Sequence, residues 1–198
     1  MTRGPSDPQD RVLPPGQRLA DALKVKHYGR VPRINLETWD LAVTGATASG
    51  TETRLSLAEV QALPRTRVRG DLHCASKWSV PDLEWGGVPV RTLLDLAPPA
   101  DGVTHVLAWA EKGYTTSLRM EDVASPRALL ADELDGEDLP AEHGWPLRLV
   151  VPHLYGFKGP KWLRGLEYHR GPVRGFWEER GYHLVGDAWR EERYAYQE

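Results

Sequence analysis

Nineteen glycines and sixteen prolines interrupt this chain of 198 residues, leaving little room for long helices. Proline removes a backbone donor and clashes with the preceding helical turn, and glycine gives up the most conformational freedom in a regular element. Short strands and helices joined by many turns are expected. The length suits one domain, large enough to bury roughly 70% of the unfolded chain's surface.

Residues 1–18 are rich in proline, glycine and charge and read as a mobile arm, with residues 19–198 as one domain. LAVTG (41–45) reads as a strand ending at Gly45. Residues 55–64 read as a helix stopped by Pro64, capped by Ser56 or the residues just before it, with Leu57, Val60, Ala62 and Leu63 as its apolar face. Residues 65–73 read as a strand approaching Cys74, and residues 90–96 as a short helix ended by Pro98-Pro99. THVLAWA (104–110) is β-like, with Val106, Leu107 and Trp109 as its buried face. Residues 127–134 read as helix before an Asp135-Gly136 turn, and LRLVVP (147–152) is the clearest buried strand. Residues 175–198 are charged and aromatic, without a single period. No regular βαβ alternation, 20–50-residue repeat, GxGxxG or P-loop is found, so the class is α+β with a mixed or mainly antiparallel sheet.

A net charge of −3 gives no bulk electrostatic reason to bind nucleic acid or an anionic membrane. No stretch approaches the ~20 apolar residues of a membrane span. One cysteine, Cys74, rules out an intramolecular disulfide and any CxxC zinc or iron–sulfur motif. The opening residues carry neither a signal-peptide apolar run nor a twin arginine, so a cytoplasmic location is expected. Tryptophan is heavily used, eight against two phenylalanines.

Three clusters carry candidate chemistry. Cys74 sits in Asp71-Leu72-His73-Cys74-Ala75-Ser76-Lys77-Trp78. A lone cysteine can be a buried small hydrophobe. Alternatively, positive charge from His73 and Lys77 would favour a thiolate, the form that binds metals. After the 147–152 strand comes a loop with Gly156, Gly159 and Gly165 among Lys158, Lys161 and Arg164. Backbone N–H groups at glycines, lysines and the fork of Arg148 could cradle a phosphate, or the loop could be ordinary basic surface. His27-Tyr28-Gly29-Arg30-Val31-Pro32 offers hydrogen-bonding side chains beside turn formers, or a loop packed under the first strand.

The segments HYGRVP…TWDLAVTG, DLHCASKW…WGGVPVRTLLDLA, GYTTSL, HGWPLRLVVPHLYGFKGPKWLRGLE and FWEERGYH occur in that order and cover most of residues 25–183. Together they resemble the molybdopterin-binding domain of the sulfite oxidase family. The match is nearest to short bacterial members related to the catalytic subunit of periplasmic methionine sulfoxide reductase.

The resemblance implies the sulfite oxidase-type α+β fold and a molybdenum–molybdopterin cofactor. Cys74 would be the metal ligand and the catalytic residue. The other equatorial positions would be held by the two dithiolene sulfurs of the pterin and by oxygen. His27 and Tyr28 match an N-terminal cofactor contact, and His143 and Arg148 match an Asn-plus-Arg pair. Gly159, Pro160 and Lys161 match the loop around the pterin, with Lys161 before Trp162 as in the family's Lys-Trp pattern. A family threonine contact falls near Ala110, so its side-chain hydrogen bond is expected to be absent here. His73, Lys77 and Tyr155 are candidates for the pocket rim.

The implied reaction is two-electron oxygen-atom transfer on a small substrate such as an S-oxide, an N-oxide or a sulfite-like anion. A non-catalytic molybdopterin carrier of the same fold is the alternative. Ala75-Ser76-Lys77-Trp78 stand where sulfite oxidases carry substrate-binding arginines, and one lysine does not replace a planar fork. There is no CxxCH and no room for a haem domain, so no haem is expected, and electrons would pass through a separate protein. The oligomeric state is left open.

Overall fold

A computed structural model describes residues 12–198. In chain order the first elements are β1 (Arg18–Leu19), β2 (Asp40–Gly45), β3 (Thr53–Ser56), α1 (Leu57–Gln61), β4 (Thr66–Cys74), β5 (Trp78–Pro89) and α2 (Val90–Leu96). There follow β6 (His105–Ala110), β7 (Thr115–Arg119), α3 (Met120–Val123), β8 (Leu129–Leu134), β9 (Glu137–Asp138), β10 (Arg148–Val150) and β11 (Leu163–His169).

The strands make two sheets. One follows β1-β5-β8-β10, with β4 on β5 and β9 on β8; the other follows β3-β2-β11-β6-β7. Among the described strand pairs, β1–β5 and β2–β11 are parallel and the rest antiparallel. The sheets are mixed, mainly antiparallel, and the helices short, as expected of an α+β fold. The main core joins the sheets through Leu41, Val43, Val88, Val106, Leu130, Leu149 and Leu166, all at most 1% exposed. A second cluster, with Trp78, Val80, Leu83, Trp85 and Val150, packs along β5.

Ser56 caps α1 as expected. Its Oγ accepts from Glu59 N at 3.3 Å while Glu59 Oε2 accepts from Ser56 N at 2.8 Å, so two otherwise unpaired donors are satisfied reciprocally. The helix is shorter than residues 55–64, because residues up to Ser56 pair with β2. The Asp135-Gly136 turn joins β8 to β9 with both residues at positive φ, the backbone of a tight hairpin.

Two expectations about the strands are corrected. Residues 127–134 are not helical: Leu129–Leu134 is β8, between β5 and β10. Leu129, Leu130 and Ala131 are buried on both faces, so the segment lacks strand alternation, and its Ala, Leu and Glu content reads as helix. In β6 the buried residues are Val106, Ala108 and Ala110, while Leu107 and Trp109 are half-buried on the opposite face. A strand's period of two cannot bury neighbours 106 and 107 alike.

The arm expected over residues 1–18 lies partly outside the described residues. Its described end is not loose: Pro14 is buried, Arg193 Nη2 donates to Pro15 O at 2.9 Å, and Gln17 Nε2 donates to Cys74 O at 3.1 Å.

Candidate functional site

A cavity of about 390 Å³ opens where the β4–β5 turn, the start of β10, the loop after it, residues 23–28 and residues 176–182 converge. His27, Tyr28, Cys74, His143, Arg148, Gly159, Pro160 and Lys161 all line it. Residues up to 134 positions apart in sequence (27 to 161) are thus brought to one cavity by the fold.

The local chain path explains the convergence. Cys74 is the last residue of β4 and pairs with Trp78 across a tight turn, which points the hairpin end into the cavity. After β10 the chain folds back on itself: Leu149 N donates to Pro160 O at 3.0 Å and Leu163 N to Leu147 O at 2.8 Å. Gly159 permits that return, since a Cβ there would lie 2.7 Å from Leu149 O. Trp162 Nε1 donates to Ala141 O, and Lys161 Nζ to Glu142 O, both at 2.7 Å, locking the loop to the turn that carries His143.

The electrostatics of this wall are unusual for a resting protein. Arg148 is 3% exposed, stacks over Trp85 at 4.9 Å, and donates to His143 O at 3.1 Å and Gly159 O at 3.4 Å. Its buried Nε has no protein partner, and among the described residues no carboxylate pairs with it. Burial pushes its guanidinium down to about 10. Burial and then the adjacent Arg148 push the Lys161 ammonium down to about 7. Burial, then Lys161 and Arg148, hold the His143 ring toward its neutral form. Lys24, Lys26 and Lys112 also line the cavity, against one acid, Glu111, which is already paired with Arg164 at 2.8 Å. The cavity is therefore built to receive negative charge.

Several sequence candidates lie elsewhere. His73 is buried with Nδ1 2.8 Å from Ser79 Oγ, and burial holds it neutral. Neither His73, Lys77 nor Tyr155 lines the cavity, so none forms its rim. Of the basic loop, Lys158 is fully buried against Glu178, and Arg164 is taken by Asp40 and Glu111. They are unavailable to a phosphate; Lys161 and Arg148 remain.

Composition did not locate the aromatic wall. Tyr28, Tyr114, Phe157, Trp162, Phe176, Trp177 and Tyr182 surround the cavity, with Phe176 5.8 Å from Tyr114 and Trp177 5.1 Å from Tyr182. The tryptophan excess hinted at it, and three of the eight, Trp78, Trp162 and Trp177, line the cavity.

The family model described as oxidoreductase molybdopterin binding domain matches residues 28–177. The chain belongs to this family. It is 38% identical over 192 residues to the oxidoreductase YuiH of Bacillus subtilis (strain 168), covering 96% of both chains. It is 34% identical over 141 residues to the protein-methionine-sulfoxide reductase catalytic subunit MsrP of Gluconobacter oxydans (strain 621H), covering 62% of this chain and 44% of that one. Identity to the sulfite oxidase of Arabidopsis thaliana is 26%, over 83% of this chain and half of that one. The chain thus spans half or less of the reductase and sulfite oxidase relatives. The fold also matches the sulfane dehydrogenase SoxCD from Paracoccus pantotrophus with a TM-score of 0.72 at 23% identity, over 82% of this chain and 47% of that one. For a molybdopterin-binding oxidoreductase domain, the wall described above has the appropriate donors. One thiol, Cys74, shares the cavity with two cations that no carboxylate pairs among the described residues, Lys161 and Arg148, and the Nε of Arg148 has no protein partner.

Proposed function

We propose that this cavity binds molybdenum–molybdopterin, with Cys74 as the metal's protein ligand, and that the chain is an oxygen-atom-transfer oxidoreductase. The observation carrying this reading is that the only cysteine lines the same cavity as the buried Arg148 and the half-buried Lys161, neither of which is ion-paired with a carboxylate among the described residues. A phosphate-bearing anion would restore the charge balance that burial otherwise penalises.

In this reading Arg148 and Lys161 hold the phosphate, and the backbone at Gly159 and Pro160 closes against the pterin. His143, His27 and Tyr28 supply further polar contacts. The aromatic wall excludes water from the reacting centre. The bound cofactor supplies two-electron redox chemistry coupled to gain or loss of an oxygen atom by the substrate.

The substrate is a small S-oxide, N-oxide or sulfite-like molecule. One feature favours an S-oxide: aromatic rings of the kind lining the cavity attract the thioether that an S-oxide becomes on reduction. Electrons come from or go to a separate carrier protein.

The test is protein purified from a cofactor-competent host. Molybdenum and pterin in near-equal amounts, with reduction by dithionite and reoxidation by a methionine- or dimethyl-type S-oxide, are expected. Protein free of both molybdenum and pterin would overturn the reading.

A further inference from the structure

The turn that carries Cys74 also brings a hydroxyl to its sulfur. Lys77 N donates to Cys74 O at 3.0 Å, with Lys77 in the left-handed region at φ 70. Gln17 Nε2 donates to the same carbonyl at 3.1 Å, so the Cys74 backbone is held from both sides. Within this fixed turn Ser76 Oγ lies 3.1 Å from Cys74 Sγ, and both residues face the cavity.

We propose that Ser76 tunes the metal centre by donating a hydrogen bond to the Cys74 sulfur. The inference rests on Cys74 being the metal ligand. In the free thiol either atom can donate. A deprotonated, metal-bound sulfur can only accept, so the serine O–H becomes the donor. That bond draws electron density from the sulfur and weakens its donation to the metal. The more electron-rich, reduced metal is then stabilised, and the reduction potential rises. Ser76 is exposed when the cavity holds only solvent, where water competes for its hydroxyl. A cofactor seated against the turn excludes that water and strengthens the bond. Ser76 thereby acts through Cys74, as a tuning residue, without touching substrate.

The experiment compares cofactor-loaded wild type, Ser76→Ala and Ser76→Thr by molybdenum content, by redox titration of the molybdenum signal, and by the sulfur-to-metal charge-transfer absorption. Ser76→Ala is expected to keep its molybdenum, to shift the potential to lower values and to move the charge-transfer band to lower energy. Ser76→Thr, which retains the hydroxyl, is expected to stay close to wild type. An unchanged potential in a fully loaded Ser76→Ala, or an equal shift in both variants, would overturn the proposal. So would loss of the metal from Ser76→Ala, which would make the serine a retention element. Failure of the underlying reading looks different: the wild type itself would carry no molybdenum, or would carry it with no thiolate absorption lost in Cys74→Ala.

Discussion

The ammonium of Lys158 lies 2.5 Å from Oε1 of Glu178, and neither side chain is reached by solvent. Lys158 also donates to Leu184 O at 2.7 Å. Glu178 Oε1 also accepts from Thr116 Oγ1 at 2.6 Å and Ser117 N at 3.0 Å. This pair fastens the loop after β10 to both β7 and the segment carrying Phe176, Trp177 and Tyr182. It is the brace behind one side of the cavity.

Removing one partner leaves an uncompensated buried charge. Lys158→Met should therefore cost about 3–5 kcal/mol, read from the urea midpoint. The double variant Lys158→Met/Glu178→Leu should recover part of that loss. A single variant as stable as wild type would show that the pair does not brace the fold.

Lys161 gives a pH dependence. With its ammonium pushed down to about 7, it is mostly charged at pH 6 and mostly neutral at pH 8 in the cofactor-free protein. An anion binding beside it favours the charged form, so binding takes up a proton above pH 7. Affinity for the cofactor should be nearly flat below pH 6 and fall by up to about tenfold per pH unit above pH 7. Lys161→Arg stays charged throughout and should lose that added slope, which separates the lysine from titration of the phosphate itself. Equal slopes in wild type and Lys161→Arg would remove Lys161 from the anion site.

Gly159 is a test of close approach. Its φ of −109 suits any residue, so a substitution acts through space alone. A Cβ would sit 2.7 Å from Leu149 O, and the loop would have to move off β10. Gly159→Ala should cost about 1–3 kcal/mol and lower molybdopterin content more than Gly156→Ala, whose Cβ would meet nothing closer than 3.5 Å. Equal cofactor contents in the two variants would contradict this placement of the loop.

How far the sequence disclosed this molecule differs from element to element. Ser56 and Glu59 announced their helix start because a capping box is local chemistry, and Asp135-Gly136 announced its turn for the same reason. β8 was misread because its identity depends on a slot between β5 and β10, whose β5 partners lie 40 to 49 residues away and are invisible to a local window. The eight candidate residues were singled out together through their likeness to a family, and the fold brings them to one cavity. His73, Lys77, Lys158 and Arg164 were misplaced because charge near a cysteine in sequence says nothing of burial or of partners such as Glu178 and Asp40. The aromatic wall went unassigned because its rings come from separate loops with no shared period.

The central claim is that the Cys74 sulfur is bound to molybdenum. X-ray absorption at the molybdenum edge, on loaded wild type and on Cys74→Ala reconstituted with the same cofactor, counts sulfur neighbours directly. One fewer sulfur is expected in the variant, with its dithiolene sulfurs retained. An identical sulfur shell in the two proteins would contradict it.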